Sequence, residues 1–288
     1  MTTPAVSFEF FPPKTLEASF RLWDTVQTLS PLAPRFVSVT YGAGGTTREL
    51  TRDAVGTLNK HLGLPVAAHL TCVDASRAET LAIAADFAKQ GVREIVALRG
   101  DPPKGANGFT PHPEGFKDSC ELISALAETG NFTIRVGAYP ETHPEAASGT
   151  ADLDWLKRKI DAGASEAITQ FFFEADTFLR FRDRCAAAGI TAPIIPGILP
   201  IENWTAARKF AMSCGAHVPA LLDDAFTKAT RDGRSDLLAI AQGTELCSTL
   251  LDEGVDALHF YTLNRPELTR DICHAIGVTA RVALRDVA

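Results

Sequence analysis

Glu9 stands inside an aromatic run close to the start of the chain, VSFEFFPPK over residues 6–14. A carboxyl set among Phe8, Phe10 and Phe11 is a candidate general acid, because burial disfavours the charged form and lifts the pKa toward neutrality. β-Branched and aromatic residues argue for a strand here, and Pro12-Pro13 ends it, since proline donates no ladder hydrogen bond. Alternation along a strand puts Ser7, Glu9 and Phe11 on one face and Phe8 and Phe10 on the other. The plainer alternative is an edge strand with Glu9 in water.

Other segments carry polar groups in apolar surroundings. LRGD (Leu98 to Asp101) ends a β-rich run with Arg99, then Gly100, whose freedom lets backbone approach a ligand, then Asp101. The same four residues also fit an Arg–Asp pair that ties down a turn. VTYGAGG (Val39 to Gly45) contains Thr40, Tyr41 and Ala43 in a turn whose backbone N–H groups can meet carbonyls or phosphates. TQFFF buries the amide of Gln170, which must find partners. His69 and Thr71, Tyr139 and Glu141, and Asn264 and Arg265 sit near the ends of three further runs. DLDWLKRK places Asp152, Arg158 and Lys159 on a helix, where a basic pair ordinarily marks a solvated face. Glu121 and Asp223-Asp224 read as surface.

These groups need elements to position them. Eight β-rich runs recur: VSFEFFP from Val6, RFVSVTY from Arg35, PVAAHLTC from Pro65, EIVALRG from Glu94, TIRVGAYP from Thr133, AITQFFF from Ala167, APIIPGIL from Ala192 and ALHFYTLN from Ala257. Helical periodicity fills the gaps, with Asp74 or Ser76 able to cap one helix. Gly91, Gly163, Gly189 and Gly254 each stand just before a run, as helix stops do. Strict β–α alternation implies a parallel sheet, and eight units in 288 residues predict an α/β fold, a single-domain (β/α)₈ TIM barrel over residues 1–288. No GxGxxG follows the first strand, which argues against a Rossmann fold. Residues 101–117, rich in Pro and Gly, are expected to form a lid-like loop, and residues 200–256 to hold extra helix.

In such a barrel the active site lies at the C-terminal ends of the strands, which is where these polar groups fall. Composition narrows the partners. A net charge of −7 gives no electrostatic case for nucleic acid. The N-terminus lacks the basic and apolar regions of a signal peptide, and no apolar run approaches the ~20 residues of a membrane span. Six scattered cysteines without a CxxC pair fit reduced thiols in a cytoplasmic protein, and seven histidines without close ligand spacing predict no metal. Small-molecule substrates and, in some form, a homo-oligomer remain.

Taken together, SFEFFPPK, FVSVTYGAGG, AHLTC, IVALRGD, AYPETHPEA, LKRKIDAGA, AITQFFF, FLRFRDRC, IIPGILPI and FYTLNR resemble methylenetetrahydrofolate reductase of the bacterial type over nearly the whole chain. The resemblance implies a barrel with non-covalent FAD that oxidises NADH or NADPH and then reduces 5,10-methylenetetrahydrofolate to 5-methyltetrahydrofolate by a ping-pong route. It makes Glu9 the acid that opens the imidazolidine ring, giving the 5-iminium cation that accepts hydride. Asp101, Gln170, Phe210 and Arg265 become substrate-binding residues. Thr40, Tyr41, Ala43, His69, Arg99, Gly100, Asp101, Ser119, Tyr139, His143, Ala146, Asp152, Arg158 and Lys159 become FAD-binding, the last two at the pyrophosphate. Trp155 stands where a bacterial relative has asparagine, and Ala206 where it has a substrate-contacting glutamine. Eukaryotic relatives add a regulatory domain; none is expected here, nor inhibition by S-adenosylmethionine. A barrel lyase or transferase that uses folate without redox chemistry, and a non-catalytic subunit on the same scaffold, are the competing classes.

Overall fold

Hydrogen-bond satisfaction of eight buried strands is met by closure. The computed structural model describes residues 3–42, 47–101, 105 and 108–280. Its strands pair in parallel and in chain order around a closed barrel: β1 (Ala5–Phe10), β2 (Val37–Val39), β3 (Val66–Thr71), β4 (Glu94–Leu98), β5 (Thr133–Ala138), β6 (Glu166–Phe171), β7 (Ile194–Ile198) and β8 (Ala257–Tyr261). Each lies on one of the eight runs anticipated from sequence. The helices between them are α1 (Leu16–Leu29), α2 (Arg48–Leu62), α3 (Arg77–Lys89), α4 (Ser119–Glu128), α5 (Gly149–Asp161) and α6 (Ala175–Ala187). The long connection after β7 holds α7 (Trp204–Ser213), α8 (Ala220–Arg231) and α9 (Ser235–Asp252), and α10 (Pro266–Ala275) follows β8. No helix among the described residues is long and apolar enough to cross a membrane.

Local chemistry sets the boundaries. Ser76, not Asp74, caps α3, and Glu79 reaches back to the Ser76 backbone N–H to complete a capping box. Gly91 and Gly254 leave their helices at φ 85 and 83, a left-handed turn that glycine makes without steric cost. Two carboxylates read as surface do more than that. Asp223 accepts the Trp204 indole N–H at 2.6 Å, and Glu121 pairs with Arg77 while accepting the Lys117 N–H. In the 101–117 connection, Pro102–Lys104, Ala106 and Asn107 lie outside the described residues. Its far end is anchored, with Phe116 fully buried beneath the Arg77 guanidinium.

Alternation divides the barrel into two cores. Phe8 and Phe10 point outward and pack with Leu22, Val26 and Leu29 of α1, burying apolar area between sheet and helices. Inside, an apolar layer of Phe36, Ala67, Val96, Ile168, Ile195 and Ala257 fills the waist. Below it a buried ion cluster closes the floor: Arg135 pairs with Glu94 and Glu166, Glu166 also pairs with Arg35, and the Arg135 guanidinium lies 3.8 Å over the Phe36 ring.

One irregularity shapes the upper rim. Ile168 aligns with Ile195 but Phe171 with Gly197, so β6 carries one more residue than β7 over this stretch. This β-bulge re-aims the intervening side chains. Thr169 stabilises it twice, its hydroxyl accepting the Gly197 N–H at 2.9 Å and its carbonyl accepting the Tyr261 O–H at 2.7 Å. A Cβ on Gly197 would collide with the Thr169 carbonyl and come 2.6 Å from the Tyr261 ring. Gly197→Ala is therefore expected to destabilise by about 1–3 kcal/mol, the range for overpacking, measured by urea unfolding. An unchanged midpoint would show that the rim has slack.

Candidate active site

Alternation also decides what surrounds Glu9. Phe8 and Phe10 face away from it, so the carboxyl does not sit among phenyl rings as the sequence suggested. Its neighbours are imidazoles. Nε2 of His69, from β3, lies 3.3 Å from Glu9 Oε2, and Nε2 of His259, from β8, lies 3.8 Å away. Neither nitrogen has another partner among the described residues, and the Glu9 side chain is only 16 % exposed. The expected upward pKa shift is overturned. Burial does push the carboxyl up, but the hydrogen-bonding and charge of His259 and His69 outweigh it and hold Glu9 at about 2. In the bare barrel Glu9 is an ionised carboxylate.

Above Glu9 opens a cavity of about 520 Å³. Its wall includes Glu9, Tyr41, His69, Thr71, Arg99, Gly100 and Asp101 from the first half of the barrel. Ser119, Tyr139, His143, Ala146, Asp152, Lys159 and Gln170 come from the second half. Thirteen of these are candidates from sequence; Thr71 was noted as a polar residue without a role. Phe210 stands outside the wall, 46 % exposed, with its ring 5.3 Å from Phe171. Thr40, at the end of β2, bonds only through its backbone, to Phe10 and Thr51. Arg158 also lies outside the wall, with its guanidinium 4.4 Å over the Trp155 ring, while Trp155 itself lines the cavity. Arg265 is set apart, lining a second cavity of about 470 Å³ and paired with Glu202 at 2.5 Å. Ala43 lies outside the described residues.

Each wall group is held in place. Asp152 accepts the His143 N–H at 2.9 Å, and the His143 ring packs edge-on against Tyr139 at 4.5 Å. His143 Nδ1 accepts the Glu145 N–H, and Glu145 binds Arg99 at 2.5 Å. The Gln170 carbonyl oxygen accepts the Phe171 N–H at 3.0 Å, leaving its amide nitrogen only a 3.5 Å contact with Cys214 Sγ. Lys159 donates to the Gly137 carbonyl at 2.6 Å, and burial pulls its ammonium down to about 8 against the opposing pull of Asp152. Burial pushes the Tyr139 phenol up to about 12.

The cavity offers a guest an unsatisfied polar atom and room beside the backbone. Thr71 Oγ1 is buried on the wall without a hydrogen-bond partner among the described residues. Gly100, at φ 89, leaves room where a Cβ would strike Thr71 and Val73. Ser7, His259, Tyr261 and Glu145 are site neighbours to which sequence reasoning assigns no role. His259 and Tyr261 could have been found as Glu9 was, as polar residues two apart in an apolar strand.

A closed (β/α)₈ barrel whose polar mouth gathers a carboxylate, two imidazoles and a half-buried lysine defines a small-molecule enzyme site of the barrel class. The methylenetetrahydrofolate reductase family model matches residues 1–277, and the chain belongs to that family. It is 47 % identical to the 5,10-methylenetetrahydrofolate reductase of Salmonella typhimurium over 95 % of this chain and 90 % of that protein. Identity to the Escherichia coli reductase is also 47 %, with the same coverage. A rice protein named probable methylenetetrahydrofolate reductase (NADH) is 35 % identical over 94 % of this chain but only 48 % of its own length. Among solved structures, a Clostridium thermocellum protein described as binding two copies of 5-methyl-5,6,7,8-tetrahydrofolic acid shares the fold, with a TM-score of 0.60 at 15 % identity over 95 % of this chain and 94 % of that one.

The depressed Glu9 pKa has a thermodynamic signature. A carboxylate lowered from 4.5 to about 2 on folding contributes about 3 kcal/mol, fully present above pH 4.5 and lost as the pH falls through 2. The stability gap between wild type and Glu9→Gln should narrow over that window, followed by urea unfolding at stepped pH. A gap independent of pH would mean that Glu9 is not charged in the folded barrel.

Proposed function

We propose that the protein reduces 5,10-methylenetetrahydrofolate to 5-methyltetrahydrofolate at this cavity, with FAD bound non-covalently and NADH, or NADPH, as reductant. The observation that carries this is the convergence of Glu9, Gln170, Asp101 and the Lys159 end of α5 on one cavity, in a chain of the reductase family. FAD, when bound, supplies the hydride relay between nicotinamide and folate. The residues fit such a group: Gly100 admits close backbone approach, Thr71 offers an unpaired hydroxyl, and Lys159 offers a cation to a pyrophosphate.

Each half of the chemistry asks something different of the chain. Oxidation of the nicotinamide needs orientation and exclusion of water but no protein acid. Opening the imidazolidine ring breaks a C–N bond and leaves the electron pair on nitrogen, which must take a proton. Glu9, at the bottom of the cavity, is the group placed to deliver it; since it rests as a carboxylate, it must be protonated first. Gln170, aimed inward by the bulge, presents its amide to whichever ring system occupies the mouth. Asp101 lies on the rim, where a carboxylate can accept from a pterin N–H. Phe210 offers an apolar face outside the wall, and Arg265 can meet a terminal carboxylate once it leaves Glu202. The ping-pong order follows from one cavity serving both nicotinamide and folate in turn. A preference for NADH is favoured only by the rice relative's name. No acidic residue is assigned to reject a 2′-phosphate.

The purified protein should show flavin absorbance near ~450 nm or acquire it with FAD, the cofactor carrying the redox chemistry; failure of both would remove the proposal. Glu9→Gln should slow the folate half-reaction by about 10²–10⁴-fold, the usual contribution of a positioned acid, and leave anaerobic bleaching by NADH within a few-fold. Equal loss in both half-reactions would contradict the assigned role. Lys159 loses its charge above pH 8, so FAD affinity should weaken as pH rises through that value. Lys159→Met should bind FAD more weakly with a flat pH dependence, read by fluorescence titration.

A further inference from the structure

Ser7 and His259 are aligned on neighbouring strands β1 and β8, and both are buried inside the barrel. Ser7 Oγ lies 2.8 Å from His259 Nδ1 and 3.4 Å from the Leu258 carbonyl, so one hydroxyl proton has two acceptors. The other imidazole nitrogen, Nε2, faces Glu9 and has no other partner among the described residues. His259 is not part of the cavity wall. We infer that Ser7 and His259 are positioning residues that set, through the tautomer and charge of one imidazole, whether Glu9 meets its substrate as a carboxylate or carrying a proton. This inference rests on the reading of Glu9 as the acid of the folate half-reaction.

The two hydroxyl positions correspond to two proton counts. With Ser7 donating to Nδ1, the imidazole is neutral and carries its proton on Nε2, which points toward the Glu9 carboxylate. With Ser7 turned to the Leu258 carbonyl, its oxygen accepts an Nδ1–H, and the ring can hold protons on both nitrogens. That imidazolium beside a carboxylate becomes a neutral imidazole beside a carboxylic acid by one proton shift, across a gap that a small carboxylate rotation shortens. A buried serine hydroxyl thus allows the pair to gain one proton while every N–H keeps an acceptor.

The groups facing His259 determine which state is at rest. Glu9 on β1 favours the charged ring. Burial opposes it most, and His69 on β3 and Arg135 on β5 oppose it too, the latter through the Phe36 ring stacked 5.7 Å from His259. Tyr261 on β8 lies edge-on at 5.3 Å with its phenol held neutral by burial. The ring is pushed below its ordinary value, so at neutral pH the resting unit is a neutral imidazole and a carboxylate, in keeping with the shorter Ser7–Nδ1 distance. A ligand that covers the mouth strips water from that carboxylate, and the lone buried anion then favours taking up a proton. The proton comes from solvent, passes from Glu9 to the ring nitrogen as its C–N bond breaks, and leaves carboxylate and neutral imidazole behind. No electrons are drawn from the protein.

Two measurements test this. Anaerobic single-turnover rates of each half-reaction would be followed against pH for wild type, Ser7→Ala, Ser7→Thr and His259→Gln. Wild-type folate reduction should fall as pH rises through an apparent pKa. Ser7→Ala leaves an Nδ1–H without an acceptor in the loaded state, so that pKa should drop by about one unit, giving rates roughly 10-fold lower above it. Ser7→Thr should restore it, His259→Gln should flatten the profile, and NADH bleaching should be unmoved in all three. Independently, ¹⁵N-histidine NMR of the wild-type protein at pH 7.5 should show His259 with its proton on Nε2. An Nδ1–H tautomer there, or folded variants with the wild-type folate profile, would overturn the inference. Absence of flavin bleaching in the wild type would instead count against the proposed function, and the NMR result stands apart from it.

Discussion

Closure of eight parallel strands allows only every second side chain inside, and the interior it encloses is narrow. Everything else in the molecule answers to that restriction. Phe8 and Phe10 are sent outward to hold α1, and Ser7 and Glu9 inward between them. The enclosed volume is then divided by depth: ions on the floor, apolar side chains at the waist, ionisable and amide groups at the mouth. Only the mouth has room for a guest.

Within the mouth the charges are separated by task. Glu9 and the two imidazoles form one cluster at the bottom, while Lys159, Asp152, Arg99 and Glu145 form another along the β4–β5 side. In the proposed function the lower cluster would handle the proton and the upper one would meet the phosphates. Lys159 is anchored by the Gly137 carbonyl, so its cation is already in position. Trp155 adds an indole to that side, with Arg158 drawn over it. Of the Arg158–Lys159 pair, the exposed member is thereby ordered by an aromatic surface.

Much of the fold was legible because β–α alternation and glycine stops are local signals. The eight runs and the polar residues at their ends located the mouth, and the family motifs named most of its wall. The environment of Glu9 was not legible. A strand sequence shows what flanks a carboxyl along the chain, here phenyl rings, but its real neighbours come from β3 and β8, some 60 and 250 residues away. The sign of its pKa shift followed from those neighbours and so was missed. The β6 bulge was equally hidden, since it depends on Gly197 and Tyr261 meeting Thr169 across two strands. Arg265 and Phe210 illustrate a different gap: motif position placed them at the site, while geometry places them beside it.

The ionic plug at the floor has a further consequence. Arg135, Glu94, Glu166 and Phe36 fill the lower end of the barrel, while Glu9 opens into the cavity at the other end. A molecule that fills the mouth therefore comes to lie between this carboxylate and the bulk solvent. On the proposal above, seating of the guest and loading of the proton are then one coupled event.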